Sequence, residues 1–384
     1  MKKLFVTIVM LSVMIGCFSV GTNAVNDSEI QVGAKSAVLM DASTGEVLYS
    51  FNENEKLYPA SVTKIMPLLL FMEALDSGKI ALTDEVTTSP TAAGKGGSQI
   101  WLKEGEVMTV DELLRATAIG SANDACTALG EHIAGSETGF VKMMNDRARE
   151  LGMMNTNFVN CSGLDDDTTE HLTTAYDIAL MSKELLTHER IKTYTTVWTD
   201  SLRNGETQLV NTNKLVRFYS GTTGLKTGTT SKAGHCLSAS AQRDGLHLIA
   251  VVMGAENSTD RFEGAKAMLN WGFANFETVT PQIDSSSFGE VKIIRGVQQS
   301  IRPKLTGVKP LTLRVGEKTD LVPTIELSEN VEAPVEKNQT LGTVTVKIGD
   351  REIAYYNLVS DIYVEKTKMS HIMVRFLCSL AKSA

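Results

Sequence analysis

The chain has no excess of basic residues, no closely spaced cysteine pair and, beyond its N-terminus, no long apolar run. Its 37 Lys and Arg stand against 45 Asp and Glu, giving a formal net charge of −8 and a pI near 5.4. Phosphate recognition needs a basic stripe, so nucleic-acid partners are excluded and the substrate is not expected to be a polyanion. Cys17, Cys126, Cys161, Cys236 and Cys378 are scattered, and no disulfide framework is indicated. Neither Cys-x-x-Cys nor His-x-x-x-His occurs and the six histidines are dispersed, so the reading is metal-free chemistry with no cofactor. Internal repeats and low-complexity tracts are absent as well.

What is present suffices for two cores: 384 residues, 42% of them hydrophobic. Lys2 and Lys3, an apolar run over 4–20 and the polar end Thr22-Asn23-Ala24 predict a signal peptide, 1–24, cleaved after Ala24. A retained anchor is the competing reading, but Ser12, Gly16 and Ser19 interrupt the run. Gly16-Cys17 could be a lipoprotein processing site, although Met14 and Ile15 match that poorly.

Strands are expected over 36–41 and 46–51, joined through Gly45, and a helix runs from Ser61 on Ile65, Leu68, Leu69 and Met72 to a stop at Gly78. The middle third reads helical around 110–119, 123–134, 138–151 and 174–187, with a capping box at Thr109 and Glu112. Strands return over 225–230, 235–242 and 246–253, the last two joined by Arg243-Asp244-Gly245, and a helix over 260–275 closes the unit. The expected fold class is mixed α/β: an antiparallel sheet covered by helices, with a helical cluster to one side, over 25–277. Short β-branched runs over 278–366 read as a small all-β domain.

In the last segment, 367–384, Met369, Ile372, Met373, Phe376, Leu377 and Leu380 share one helical face, while Lys368, Arg375 and Lys382 recur on the other. A basic amphipathic helix of this kind lies in a membrane surface; packing on the β domain is the alternative. It is too short to cross a bilayer.

Ser61-Val62-Thr63-Lys64 places a lysine one turn after a serine at a helix start. A serine hydroxyl needs a base, and lysine serves when burial or another cation lowers its pKa. Ser379 and Lys382 repeat the spacing, which shows how little the pattern proves alone. Ser121-Ala122-Asn123 lies at a break between two expected helices, where a hydroxyl can relay a proton and an amide can hold a carbonyl; an ordinary cap is the plainer reading. Lys226-Thr227-Gly228-Thr229 sits on an expected strand: Gly228 removes a side chain that would block substrate at the edge, Lys226 and the threonine hydroxyls can bind a carboxylate, and Lys226 would help depress the pKa of Lys64.

The three together, in this order and on these elements, resemble the serine penicillin-recognising enzymes, and among them the low-molecular-mass D-alanyl-D-alanine carboxypeptidases. The resemblance extends over residues 36–45, Gly163-Leu164-Asp165, Thr174-Ala175-Tyr176-Asp177 and Trp271-Gly272-Phe273, and takes in the small β domain and amphipathic tail. It implies removal of the terminal D-alanine from a peptidoglycan pentapeptide through an acyl-enzyme on Ser61. Lys64 would be the base, Ser121 the proton relay and Asn123 a substrate-amide ligand. Lys226, Thr227 and Thr229 would bind the terminal carboxylate, with Arg261, near the end of the last strand, as a further contact. The amides of Ser61 and Thr229 would form the oxyanion hole. Some members carry histidine where this chain has Thr229, which leaves fine substrate preference open. β-Lactams would be covalent inhibitors, and the setting would be the outer face of a bacterial cytoplasmic membrane.

Residues with plainer readings are His132 and His171, taken as surface or packing groups in helical surroundings. Cys126 and Cys236 are close in sequence to the motifs but more often simply buried. A β-lactamase is disfavoured because residues 160–165 lack the Glu-x-x-x-Asn device for deacylation. A cross-link endopeptidase, a transpeptidase and a catalytically idle wall-binding module remain alternatives.

Overall fold

A computed structural model describes residues 30–368. The expected leader, 1–24, and all but the first two residues of the expected amphipathic segment, 367–384, lie outside them, as do Cys17, Cys378 and the Ser379/Lys382 repeat. Among the described residues no helix is long and apolar enough to cross a membrane.

Strands β1 (Ser36–Asp41) and β2 (Val47–Phe51) form a hairpin, and a tight 3-10 turn, Ala60–Lys64, then opens helix α1 (Ile65–Asp76). Helices α2 (Val110–Ala118), α3 (Asn123–Ala134), α4 (Glu137–Glu150) and α5 (Ala175–Thr187) build the helical cluster. The Thr109–Glu112 capping box forms as the sequence specifies, with Thr109 N donating to Glu112 Oε2 at 2.9 Å. Strands β3 (Thr222–Thr230), β4 (Gly234–Arg243) and β5 (Leu246–Ala255) follow, then helix α6 (Ser258–Asn275). The five strands make one antiparallel sheet in the order β2-β1-β5-β4-β3.

Period-two alternation sends each strand's side chains into two cores. Val38 and Met40 of β1, with Ile249, Val251 and Met253 of β5, pack against α1 to α5. Ala37 and Leu39, with Leu248, Ala250 and Val252, pack against Phe262, Met268 and Leu269 of α6. β5 is buried along its whole length, which is why it reads as a continuous apolar run rather than an alternation. Helices cover both faces of the sheet, and β2 and β3 are its edge strands.

The chain passes directly from α6 into strand β6 (Phe276–Val279), which pairs with β7 (Leu311–Arg314). The rest of this region is β: a four-stranded sheet of 304–306, 351–359, 340–348 and 321–327, and a three-stranded one of 300–301, 291–294 and 330–332. Each has its own small apolar cluster, around Val291 and Val335 in one case and around Val344 and Leu358 in the other. Asp41, buried at the end of β1, accepts hydroxyl hydrogen bonds from Thr278 (3.0 Å) and Thr312 (2.7 Å) and so fastens the β region to the sheet. In register Asp41 pairs with Leu248 of β5, whereas the Thr229 end of β3 pairs through His235 with Ala255. The attachment and the Thr229 end therefore lie at opposite ends of the sheet.

Candidate active site

Ser61 lies in the turn before α1, half-buried, while Ala60, Val62, Thr63 and Lys64 around it are fully buried. Ala60, immediately before it, has φ +47°, a left-handed backbone that an L-residue adopts only when its surroundings impose it. Lys64 Nζ is 2.9 Å from Ser61 Oγ and donates to the Ser162 carbonyl at 2.8 Å. Burial holds the Lys64 ammonium down to a pKa of about 8.

Strand β3 lies against this turn. A Cβ on Gly228 would stand 2.6 Å from Pro59 O and 2.8 Å from Ser61 N. The glycine therefore lets the strand reach the serine's own turn and keeps the Ser61 amide open; clearing a path for substrate is at most a second consequence. Lys226 is fully buried, its Nζ donating to Thr227 O at 3.2 Å, and burial pushes its pKa well down, with Lys64 and Arg261 adding repulsion. Desolvation is the largest cause of the lowered pKa at both lysines, and the repulsion between them, being mutual, disfavours charge on each.

Thr227 donates its hydroxyl inward to Thr212 Oγ1 (2.7 Å), so Thr229 is the exposed threonine of the motif. Arg261 stands in the first turn of α6 rather than at a strand end, 7% exposed. Its guanidinium donates to Gly228 O (3.0 Å), Thr229 Oγ1 (3.0 Å) and Cys236 O (3.3 Å) from beneath β3. Lys64, Lys226 and Arg261 are thus three buried basic groups, none of which has a carboxylate in an ion pair among the described residues.

Ser121 sits between α2 and α3, buried, at φ +62°, a second left-handed non-glycine position at the site. Asn123 donates from Nδ2 to Gly96 O (2.7 Å) and from its backbone to Ser98 O (2.7 Å), while its buried Oδ1 has no partner. That orphaned acceptor suits a substrate N–H. Asp124 next to it accepts from the amides of Ile100 (3.2 Å), Leu102 (3.0 Å) and Ala125 (2.9 Å) and staples residues 100–102 to the start of α3. The sequence did not single out Asp124. Its only signal is an acidic residue in a first helical turn.

The histidines differ from expectation in one case. His132 is exposed on α3, but His171 is fully buried in non-helical chain. It accepts from Val159 N at Nδ1 (3.1 Å) and meets Thr63 Oγ1 at Nε2 (2.9 Å), so it braces the turn that carries Ser61; burial lowers its pKa to about 4. Cys126, Cys161 and Cys236 are all free and buried. Cys126 and Cys161, distant in sequence, meet in space, Cys126 Sγ donating to Cys161 O at 3.4 Å. Among the described residues no group of three or more His, Cys, Asp or Glu converges as a metal site.

A hydroxyl at a helix start with a buried lysine where triad enzymes place histidine marks the class: a serine acyl-transfer enzyme on the penicillin-recognising fold. Residues 22–257 match the D-alanyl-D-alanine carboxypeptidase (peptidase S11) family model, and residues 276–366 that of the penicillin-binding protein 5 C-terminal domain. Among curated proteins, the D-alanyl-D-alanine carboxypeptidase DacF of Bacillus subtilis is 44% identical over 357 residues, 90% of each chain. Penicillin-binding protein 5 from Haemophilus influenzae superimposes with a TM-score of 0.79 at 31% identity, covering 88% of this chain and 98% of that one. Penicillin-binding protein D2 from Listeria monocytogenes, in its ampicillin-bound form, gives 0.58 at 31% identity over 63% of this chain and 98% of its own. The chain belongs to the D-alanyl-D-alanine carboxypeptidase family of serine peptidases.

Proposed function

We propose that this protein removes the terminal D-alanine from peptidoglycan pentapeptides through an acyl-enzyme on Ser61. The observation that carries the reading is the Ser61 Oγ to Lys64 Nζ contact of 2.9 Å, with the lysine's pKa lowered to about 8. A fraction of Lys64 is then neutral near pH 7 and able to take the Ser61 proton as Oγ attacks the penultimate carbonyl. The developing oxyanion would be met by the amides of Ser61 and Thr229. The departing D-alanine nitrogen receives the proton through Ser121, and water, losing a proton to the same lysine, then releases the acyl group. Asn123 Oδ1 accepts from the substrate amide. The terminal carboxylate sits at Thr229 near the Arg261 guanidinium and Lys226, whose protonated form the carboxylate would favour, while Thr227 would join only by turning its hydroxyl away from Thr212.

A β-lactam would acylate the same serine, in keeping with the ampicillin-bound relative. We further infer a secreted protein with residues 1–24 as leader, 25–277 catalytic, 278–366 the β domain and 367–384 resting on the outer face of a bacterial cytoplasmic membrane. The basic and apolar faces of 367–384 support this, as does the attachment of the β region at the sheet end remote from Thr229.

The test is D-alanine release from a synthetic acyl-D-Ala-D-Ala peptide by the wild type and by Ser61→Ala. Release that vanishes in the variant supports the reading. A wild type that takes a penicillin label yet releases no D-alanine is instead a cross-link endopeptidase or a transpeptidase, and one that takes no label is an idle module.

A further inference from the structure

Lys64 donates to a backbone carbonyl, that of Ser162, and a carbonyl has no identity in the sequence; something must fix where it points. The side chain of Asn160 does so. Its Oδ1 accepts from Gly163 N (2.7 Å), Ser162 N (3.1 Å) and Ser162 Oγ (3.2 Å), and its Nδ2 donates to Leu164 O (2.7 Å). Four hydrogen bonds from one amide group wind residues 160–164 into a single tight turn around the Ser162 peptide. Gly163 stands at φ +88°, and a Cβ there would lie 1.9 Å from Ala60 O, so the turn is pressed on the residue before Ser61. Beyond it, Asp165 Oδ2 takes the Thr230 hydroxyl at 2.6 Å, tying the far end of the segment to β3.

We propose that Asn160 is a positioning residue for Lys64: by holding the Ser162 carbonyl on Nζ it aims the nitrogen's remaining lone pair at Ser61 Oγ. The inference rests on the reading of Lys64 as base. A neutral amine has two hydrogens and one lone pair; with one hydrogen given to Ser162 O, its rotation about the Cε–Nζ bond is restricted and the lone pair can be directed at the serine. Without that carbonyl the amine rotates among orientations of which only some can accept the Ser61 proton. The groups facing Lys64 are Lys226 from β3, Asp124 and Cys126 from α3, and Cys161 and His171 from the loops, and substitution of Asn160 changes the chemistry of none of them.

The experiment measures the rate constant of acylation by a fluorescent penicillin against pH in full-length wild type, Asn160→Ala and Asn160→Asp, with label stoichiometry counting the competent sites. In Asn160→Ala the rate per labelled site falls by about tenfold or more. Its acid limb moves to lower pH, because the ammonium loses an acceptor that favours the charged form. Asn160→Asp keeps the three accepted hydrogen bonds and adds a negative charge; it recovers most of the rate, with the limb moved to higher pH. The proposal is overturned if Asn160→Ala acylates at the wild-type rate per site, if its rate falls with the limb unmoved, or if aspartate does no better than alanine. Should Asn160→Ala not fold, Asn160→Asp decides alone: a raised limb with most of the rate kept supports the proposal, and an unmoved limb overturns it. A wild type that takes no label removes the base reading and the proposal together, whereas labelled wild type with failure only in the variants removes the proposal alone.

Discussion

Burying a lysine ammonium without a carboxylate costs several kcal/mol, and this site buries two lysines, both with lowered pKa, beside a guanidinium. For Lys64 the consequence is a base that is partly neutral near physiological pH. The expected kcat/KM therefore rises with pH through about 8 and levels above it, and a pH profile of D-alanine release checks this. For Arg261 the consequence is an unmatched positive charge beside Thr229, and for Lys226 a suppressed one that a substrate carboxylate would restore. A peptide whose C-terminal carboxylate is converted to the amide should lose about 100-fold or more in kcat/KM, measured against the free acid. Gly228→Ala would set a methyl 2.6 Å from Pro59 O and 2.8 Å from Ser61 N. Stability should fall by about 1–3 kcal/mol, as overpacking does, and the acylation rate should fall too, because β3 must withdraw from the serine; urea unfolding and penicillin labelling read the two effects separately.

At the scale of elements, the site is a junction of three: the turn entering α1, the break between α2 and α3, and β3. Each was legible as an element because its signal is local. Apolar periodicity marks α1, the Thr109–Glu112 box marks α2, and the β-branched threonines of 225–230 mark β3. How they are held against one another was not legible, since the fasteners are contacts across the fold. Asp124 shows this: its carboxylate collects the amides of Ile100, Leu102 and Ala125 and so fixes the loop on which Asn123 rests. Asp124→Ala leaves those buried amides without an acceptor. It should cost about 2–4 kcal/mol of stability and slow acylation by loosening Asn123, both measurable in the same protein by thermal unfolding and by label kinetics.

Over the whole molecule, acid is the condition to which the fold is exposed. His171 and His247 are buried and neutral, each with its pKa lowered to about 4. As pH falls below about 6.5 the unfolded chain takes up protons that these rings in the folded state refuse. Stability is thus full above that pH, declines between about 6.5 and about 4 by roughly 3 kcal/mol for each ring, and gains no further loss from them below it; chemical unfolding at a series of pH values tests the window. Asp41 joins the two halves of the molecule. Asp41→Ala should separate the unfolding of the β region from that of the catalytic unit in calorimetry, while release of D-alanine from a small soluble peptide stays within about twofold, because the attachment is at the sheet end remote from Thr229.

By itself the sequence determined what depends on neighbours along the chain: the helix that starts at Ser61 and carries Lys64 one turn on, the strand bearing Lys226 to Thr229, and the change to β structure after α6. It also carried the family, because three short motifs in a fixed order are local patterns too. Only the tertiary structure decided which way Thr227 turns, that Arg261 lies under β3, that His171 braces the Thr63 turn, and that Asn160 holds the carbonyl on Lys64. Those depend on groups brought together from distant parts of the chain and on backbone atoms that every residue shares. Burial, which turns a lysine into a base, is likewise a property of the assembled core and of no residue in it.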